Sequence, residues 1–290
     1  MTQEGLISCP LCHENNLKTY LTIKDMDILR CCSCGMMFQD PGKIPAQGEN
    51  DYIKSYVIKN GEELKLKTAI EERERLKHIR RFMGGDLRLK KVLELGAGEG
   101  ILANLLIQNG AAYTGIEPSS LMYELAIKNF PNLKNNLINT PFDKGTFEKD
   151  YFDAVLLIDV FEHIPEPLNF LKKIKFCLKQ DGILYIEVPN ENFLKFKGFL
   201  RNKIGLYGGY PTHPAHVNLF TNKTLRKIFE FAGMIPIAIF QLTVWGNKQR
   251  LRLALKNQLP KGLCSASVFL RLTKLDLILG QGNLVVAAKK

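Results

Sequence analysis

Short apolar runs recur between residues 86 and 190, each followed by a stretch with helical spacing. Lys91-Val-Leu-Glu-Leu95 predicts a strand, and Ile101 to Gln108 predicts a helix. Ala112 to Ile116 is a second strand, and Pro118-Ser-Ser opens the next helix. Asn136 to Asn139 and Phe152 to Ile158 are the third and fourth strands. Leu168 to Leu178 is amphipathic at helical spacing. Gln180-Asp-Gly182 then turns into a fifth strand, Ile183 to Val188, closed by Pro189-Asn190. Strands alternating with helices predict a parallel sheet covered on both faces. On such sheets ligands sit at the carboxyl ends of the strands.

The flanking regions read differently. Tyr20 to Ile23 and Ile28 to Arg30 are short alternating stretches that predict strands. Asp40-Pro-Gly-Lys-Ile-Pro45 breaks regular structure. Glu62 to Phe82 has Leu64, Leu66, Ile70, Leu76 and Ile79 at helical spacing, and Gly84-Gly85 stops that helix. After the fifth strand comes an insertion of roughly 30 residues, a length that marks lids. Thr221 caps a helix over Lys223 to Ala232. Met234 to Leu242 is a sixth strand. Arg250 to Leu279 holds two amphipathic pieces around Pro260-Lys-Gly262, with Val268, Leu272, Leu275 and Leu279 in one stripe. Such a stripe is ordinarily core-facing; a peripheral membrane contact is the alternative. These breaks divide the chain into residues 1–40, a linker and helix over 41–85, and a main domain over 86–290 with a lid over 191–222.

Composition supports a real core: 46% of residues are hydrophobic and 24% charged. No apolar run reaches the length of about 18 residues that a transmembrane helix needs, and the N-terminus lacks a secretory pattern. The expectation is a cytoplasmic protein. The net charge of +11 is uneven. Residues 1–40 carry 3 basic and 5 acidic groups, whereas residues 191–290 carry 16 and 3. A basic surface of that kind fits either plain solvation or an anionic partner, such as a nucleotide-linked sugar or a lipid head group.

Cys9-Pro-Leu-Cys12 and Cys31-Cys-Ser-Cys34-Gly are two C-x-x-C knuckles. Each lets one tight turn present two sulfurs to one ion, and zinc prefers four thiolates in a tetrahedron. Cys9, Cys12, Cys31 and Cys34 are therefore the candidate ligands of a structural zinc, with Cys32 as the alternative to Cys31 and redox thiols as the competing reading. About 40 residues bury little core, so metal would hold this ribbon together. Cys177 and Cys264 stand alone as core or incidental residues.

The first strand of the main domain runs into Gly96-Ala97-Gly98-Glu-Gly100. Glycines here let the backbone approach a ligand at a helix N-terminus. The second strand ends in Glu117, followed by Pro118; a carboxylate there can accept from both hydroxyls of an adenosine ribose. A dinucleotide would use a similar layout, but G-x-G-x-x-G needs glycine where Ile101 stands.

The stretch E-L-G-A-G-E-G resembles motif I of class I methyltransferases. The run FDAVLLIDVFEHIPEPLNFLKKIKFCLKQDGILYIEVPN resembles their core and is similar to a bacterial group that includes ubiquinone-pathway O-methyltransferases. The knuckles resemble those of sugar C-methyltransferases with an N-terminal zinc domain. The resemblance implies a Rossmann-like seven-stranded α/β sheet whose last strand, Asn283 to Ala288, runs antiparallel. It implies S-adenosylmethionine as methyl donor. Glu94, Gly96, Ala97, Gly98 and Gly100 would hold the methionine end, Glu117 the ribose, and residues 139–142 would border the adenine. Asp159 and Val160 would line the cofactor wall, and His163 reads as structural rather than catalytic.

The lid contains Tyr210, His213 and His216, and His216 to Phe220 matches an H-x-x-x-F stretch of the family. An alcohol acceptor must lose its proton, and histidine can take it near neutral pH. His216 is the first candidate base or acceptor ligand, His213 the second, and Tyr210 a candidate for orienting the acceptor; a histidine that only ties the lid together is the structural alternative. The expected function is methyl transfer to a small-molecule acceptor, anionic or nucleotide- or lipid-linked, such as a sugar or glycan precursor. An RNA or protein methyltransferase using the basic last third is the alternative. The net charge of −2 on residues 1–40 disfavours nucleic acid at the ribbon. The acceptor, the atom methylated and the oligomeric state stay open.

Overall fold

The computed structural model describes residues 7–23, 26–43, 62–195, 215–243 and 282–290. Strands β1 (Leu17–Ile23), β2 (Met26–Cys31) and β3 (Met37–Gln39) come first, followed by helix α1 (Glu62–Phe82). Then β4 (Lys91–Leu95), α2 (Ile101–Gln108), β5 (Ala112–Ile116), α3 (Ser120–Asn129) and β6 (Leu137–Ile138) alternate. Strand β7 (Phe152–Ile158), helix α4 (Pro167–Cys177) and strand β8 (Leu178–Pro189) continue the pattern. A two-residue strand β9 (Asn218–Leu219), helix α5 (Asn222–Phe231), β10 (Ile235–Thr243) and β11 (Gly282–Lys289) complete the described chain.

The main sheet has seven strands in the order β10-β11-β8-β7-β4-β5-β6. It is parallel except for β11, which runs against both neighbours, as expected. Strand order reverses beside β4, so β4 and β7 flank the crevice where such sheets take ligands. Both faces are covered, and the central strands alternate between two cores. Leu93, Val155 and Leu157 face α4 and α5, while Val92, Ala154 and Leu156 face α1, α2 and α3. Thr221 caps α5 with the reciprocal bonds of a capping box: its side chain accepts from Thr224 N, and its own N–H donates to Thr224 Oγ1.

The second sheet holds a departure from expectation. It has four strands in the order β1-β2-β3-β9. Strands β3 and β9 escaped the sequence reading because three and two residues are too short to show an alternation. Strand β9 comes from the segment read as lid, so the N-terminal module and the main domain share one sheet. The expected helices over residues 250–279 lie outside the described residues.

Helix α1 packs Leu76 and Ile79 into the second core, and it also brings a charge there. The Arg75 guanidinium donates to both oxygens of Glu187, at 2.8 and 2.9 Å, and to Glu72 at 2.5 Å. Asp159 Oδ2 lies 3.7 Å away, and Asn283 donates to both Asp159 and Glu187. On the next strand Tyr113 donates its hydroxyl to buried Glu94 at 2.7 Å. One cation faces several carboxyls here, so burial prevails. It pushes Glu72 up to about 7 and Glu94 up to about 8, from an ordinary value of 4.5.

Two predictions follow from this buried cluster. Replacing Arg75 by Met leaves Glu187 without its fork partner, and breaking such a buried pair costs about 3–5 kcal/mol. Urea unfolding checks it; a loss below about 1 kcal/mol, as for a surface pair, would contradict it. The raised carboxyls keep protons in the folded chain that the unfolded chain gives up. Their contribution is full below pH about 4.5 and disappears as pH rises through about 8. Stability therefore falls between pH about 4.5 and 8, by up to about 1.4 kcal/mol per pH unit for each proton. Glu94→Gln makes thermal unfolding less pH-dependent; equal slopes in variant and parent would remove Glu94 from this account.

Candidate active site

The loop after β4 is built by glycines with left-handed backbone. Gly96, Gly98 and Gly100 have φ of 81, 54 and 78°. Two of them are also required by packing: a Cβ on Gly96 would meet Val160 Cγ2 at 2.4 Å, and one on Gly100 would meet Leu133 Cδ1 at 2.6 Å. Gly98 is different. A Cβ there would meet only Met122 Cε, at 3.9 Å, so its bare main chain borders open space.

Glu117, at the end of β5, closes on that loop. Its Oε2 accepts from Gly98 N at 2.8 Å and its Oε1 from Ser119 N at 2.9 Å. The side chain is 5% exposed. Asn139, after β6, donates to the Glu117 carbonyl at 2.7 Å and to that of Pro118 at 3.4 Å, fixing the strand end. Asp159 follows β7 with φ of 53°, a rare backbone for a non-glycine residue. Its N–H donates to Glu187 O, and Asn283 holds its side chain. Gly96, Ala97, Gly98, Gly100, Glu117, Pro118, Asp159 and Val160 thus share one edge of the sheet. Glu94 lies on the same strand, but its carboxyl is committed to Tyr113.

The donor set fits an adenosine-containing cofactor. Gly98 supplies a cradle that a Cβ would fill, and Glu117 supplies acceptors at its rim.

Across the edge lies a second group that the sequence reading only half found. His216 Nε2 is 3.9 Å from Glu162 Oε1, and the rings of His216 and His163 meet edge-on at 5.0 Å. His163 Nδ1 also bonds to the Ala215 carbonyl at 2.8 Å. Glu162 is 1% exposed, and neither of its carboxyl oxygens has a hydrogen-bond donor among the described residues. Burial, then the neighbouring Asp159, holds its pKa well above the usual carboxylate range. Glu162 was missed because D-V-F-E-H-I-P was read for Asp159 and His163 alone. The available signal was a charged residue inside an otherwise apolar turn. Tyr210 and His213 lie outside the described residues.

The four expected cysteines do converge. The Sγ atoms of Cys9, Cys12, Cys31 and Cys34 lie within 4.8 Å of one another, while Cys32 is exposed. Cys177 is a buried core residue. Burial pushes the Cys34 thiol up to about 11 and the Cys9 thiol higher still, whereas hydrogen bonds, first that from Cys34 N–H, outweigh burial and bring the Cys31 thiol down to about 7.

Comparison with known proteins bears on the edge of the main sheet. The methyltransferase domain family matches residues 69–236, more than half of the chain. A ubiquinone biosynthesis O-methyltransferase of Actinobacillus pleuropneumoniae is 31% identical over 126 residues, which are 40% of this chain and 52% of that protein. The chain thus spans about half the length of such curated relatives. A putative S-adenosylmethionine-dependent methyltransferase from Listeria monocytogenes superposes with a TM-score of 0.54 at 18% identity, over 77% of this chain and 98% of the other. Phosphoethanolamine N-methyltransferase 2 of Haemonchus contortus, solved with S-adenosyl-L-methionine, gives 0.51 at 18% identity, over 75% and 52%. At these identities the solved structures speak for the fold alone. The family match, the reversed strand order and the glycine loop agree, and the chain belongs to the methyltransferase domain family, with the Rossmann-like fold of the class I S-adenosylmethionine-dependent methyltransferases.

Proposed function

We propose that this protein transfers a methyl group from S-adenosylmethionine to a hydroxyl of a small-molecule acceptor. The observation that carries the reading is the Glu117 carboxylate, which ends β5 at the sheet edge and accepts from the Gly98 N–H of the glycine loop. Bound there, the cofactor supplies a methyl group on a sulfonium. Glu117 would accept from the ribose hydroxyls, and the main chain at 96–100 would receive the amino-acid end.

On the acceptor side, His216 takes the hydroxyl proton. Glu162, a buried carboxyl with no hydrogen-bond donor among the described residues, lies 3.9 Å from His216 Nε2 and would orient the ring. His213 remains the second candidate base or acceptor ligand, and Tyr210 the candidate for orienting the acceptor. The names of the curated relatives support an oxygen as the methylated atom. Sixteen basic against three acidic residues in 191–290 support an anionic acceptor, with a sugar or glycan or lipid precursor as the class. The convergent thiols support a structural zinc at Cys9, Cys12, Cys31 and Cys34, and with it a zinc ribbon ahead of the methyltransferase domain.

Calorimetry tests the cofactor half. Glu117→Gln is expected to weaken S-adenosylmethionine roughly 10- to 100-fold, as loss of charge-assisted hydrogen bonds does. Unchanged affinity, or uptake of NADH by the parent, would overturn the assignment. Transfer of labelled methyl to matched phosphorylated and neutral phenols and sugars tests the acceptor half. The phosphorylated member should show the lower KM, and salt should erase the difference. With whichever acceptor turns over, His216→Asn is expected to lower kcat about 10²- to 10⁴-fold with cofactor affinity intact. Near-parental kcat would leave His216 as a tie in the lid.

A further inference from the structure

The four-cysteine module and the candidate base are joined by an edge-to-edge strand pairing. Strand β3 begins three residues after Cys34. Its outer edge pairs antiparallel with β9, matching Met37 with Leu219 and Phe38 with Asn218, and Gln39 N donates to Val217 O at 2.9 Å. His216 lies two residues before β9. The knuckle feeds this strand directly, since Gly35 N donates to Cys31 O and Cys31 N to Met36 O. From the other side, Lys227 Nζ on α5 donates to the Cys34 carbonyl at 2.9 Å.

The opposite side of the 215–220 segment is held by the turn that carries Glu162. Asn218 Nδ2 donates to Ile164 O at 2.6 Å, and Phe220 stacks on Phe161 at 5.0 Å with 12° between the rings. The segment is therefore clamped between turn 161–164 and the cysteine module. Removing one clamp weakens the hold on the segment that carries His216. The apolar core is continuous across this seam, with Cys9, Cys31, Cys34, Met36 and Phe38 in one cluster with Phe161 and Phe220. A module of this size does not hold its strands by burial alone. Its hold on β9 depends on what closes the knuckles.

We propose that the cysteine module is a positioning element for the acceptor side of the site: β3 seats β9, and so His216, against the turn carrying Glu162, and metal at the four cysteines is coupled to that geometry. This rests on the reading of His216 and of the zinc given above. The coupling is reciprocal, as any linkage between two sites is.

Hydrogen-exchange mass spectrometry on the full chain tests it, comparing protein as isolated, stripped of zinc, and reloaded with zinc alone. Metal loss is expected to speed exchange in 26–39 and in 215–220 together, by about tenfold or more, with 91–95 and 152–158 unmoved and zinc restoring both. Loosening of 26–39 with 215–220 still protected would overturn the coupling. So would protection in 26–39 that metal does not affect. A chain isolated with no metal at the cysteines overturns the metal half, and the strand coupling is then judged on Gln39→Pro.

That variant removes one N–H, aimed at Val217 O, and touches no cysteine. The expected result is parental zinc content and S-adenosylmethionine affinity, with faster exchange in 215–220 and a displaced His216 ring resonance by NMR. Both signals unchanged would sink the proposal. If Gln39→Pro fails to fold, the comparison on the parent chain decides. The two readings fail separately. Parental kcat in His216→Asn would deny the base and leave the exchange result intact, whereas an unmoved 215–220 would deny the coupling whatever that variant does.

Discussion

A single carboxylate at the end of β5 ties the candidate cofactor site together. Glu117 reaches across the sheet edge to the Gly98 amide, and by doing so it sets the path of the loop between β4 and α2. That loop cannot relax inward, because Val160 and Leu133 occupy the space beside Gly96 and Gly100. It cannot relax outward without giving up an N–H bond to a carboxylate, among the stronger hydrogen bonds available to main chain. The outcome is a fixed concavity of bare backbone with an anion at its rim. A neutral residue at 117 would keep the fold and lose the reason for the loop's shape.

The same edge shows how charge is tolerated inside an α/β sheet. Glu72, Glu94 and Glu187 are all buried beside α1, where hydrocarbon would be expected. One guanidinium from that helix and the Asn283 amide answer Glu187 and Asp159, and Tyr113 answers Glu94. A lone arginine does not neutralise this many carboxyls, so the surplus is met by protons rather than by further cations. That choice makes this face of the main sheet responsive to pH. It also explains how Asp159 keeps its left-handed backbone. The φ of 53° is sustained by the Asp159 N–H bond to Glu187 O and by the Asn283 clamp, both anchored in β strands.

The main sheet was legible in the sequence because each of its central elements carries a strong local signal. Phe152 to Ile158 is a continuous apolar run, and Leu168 to Leu178 has a clear helical stripe; both emerged within a residue of expectation. The glycine loop and Glu117 were legible because their chemistry is compressed into contiguous residues. What escaped shares the opposite property. Strand β3 and strand β9 carry no periodicity, and they form a sheet with each other only because chain segments some 180 residues apart meet. Glu162 escaped for a related reason. Its significance lies in His216, 54 positions away, and no local pattern announces a carboxyl whose partners arrive from another element.

Those two omissions are one omission. The residues that local signals could not reveal are the ones that join the cysteine module, the 161–164 turn and the 215–220 segment. A cofactor site can be written locally, because a strand end and a helix start suffice to hold a nucleoside. An acceptor site must be assembled from distant pieces, because it has to leave room for a second molecule and still fix a base to within a fraction of an ångström. In this chain the pieces are held by strand addition, a device that demands little of the side chains and so leaves almost no trace in residue type. The pairing of Met37 and Phe38 with Leu219 and Asn218 would survive most substitutions that keep an extended backbone. Side-chain chemistry near His216 is thereby freed to vary, while main-chain hydrogen bonds hold the frame.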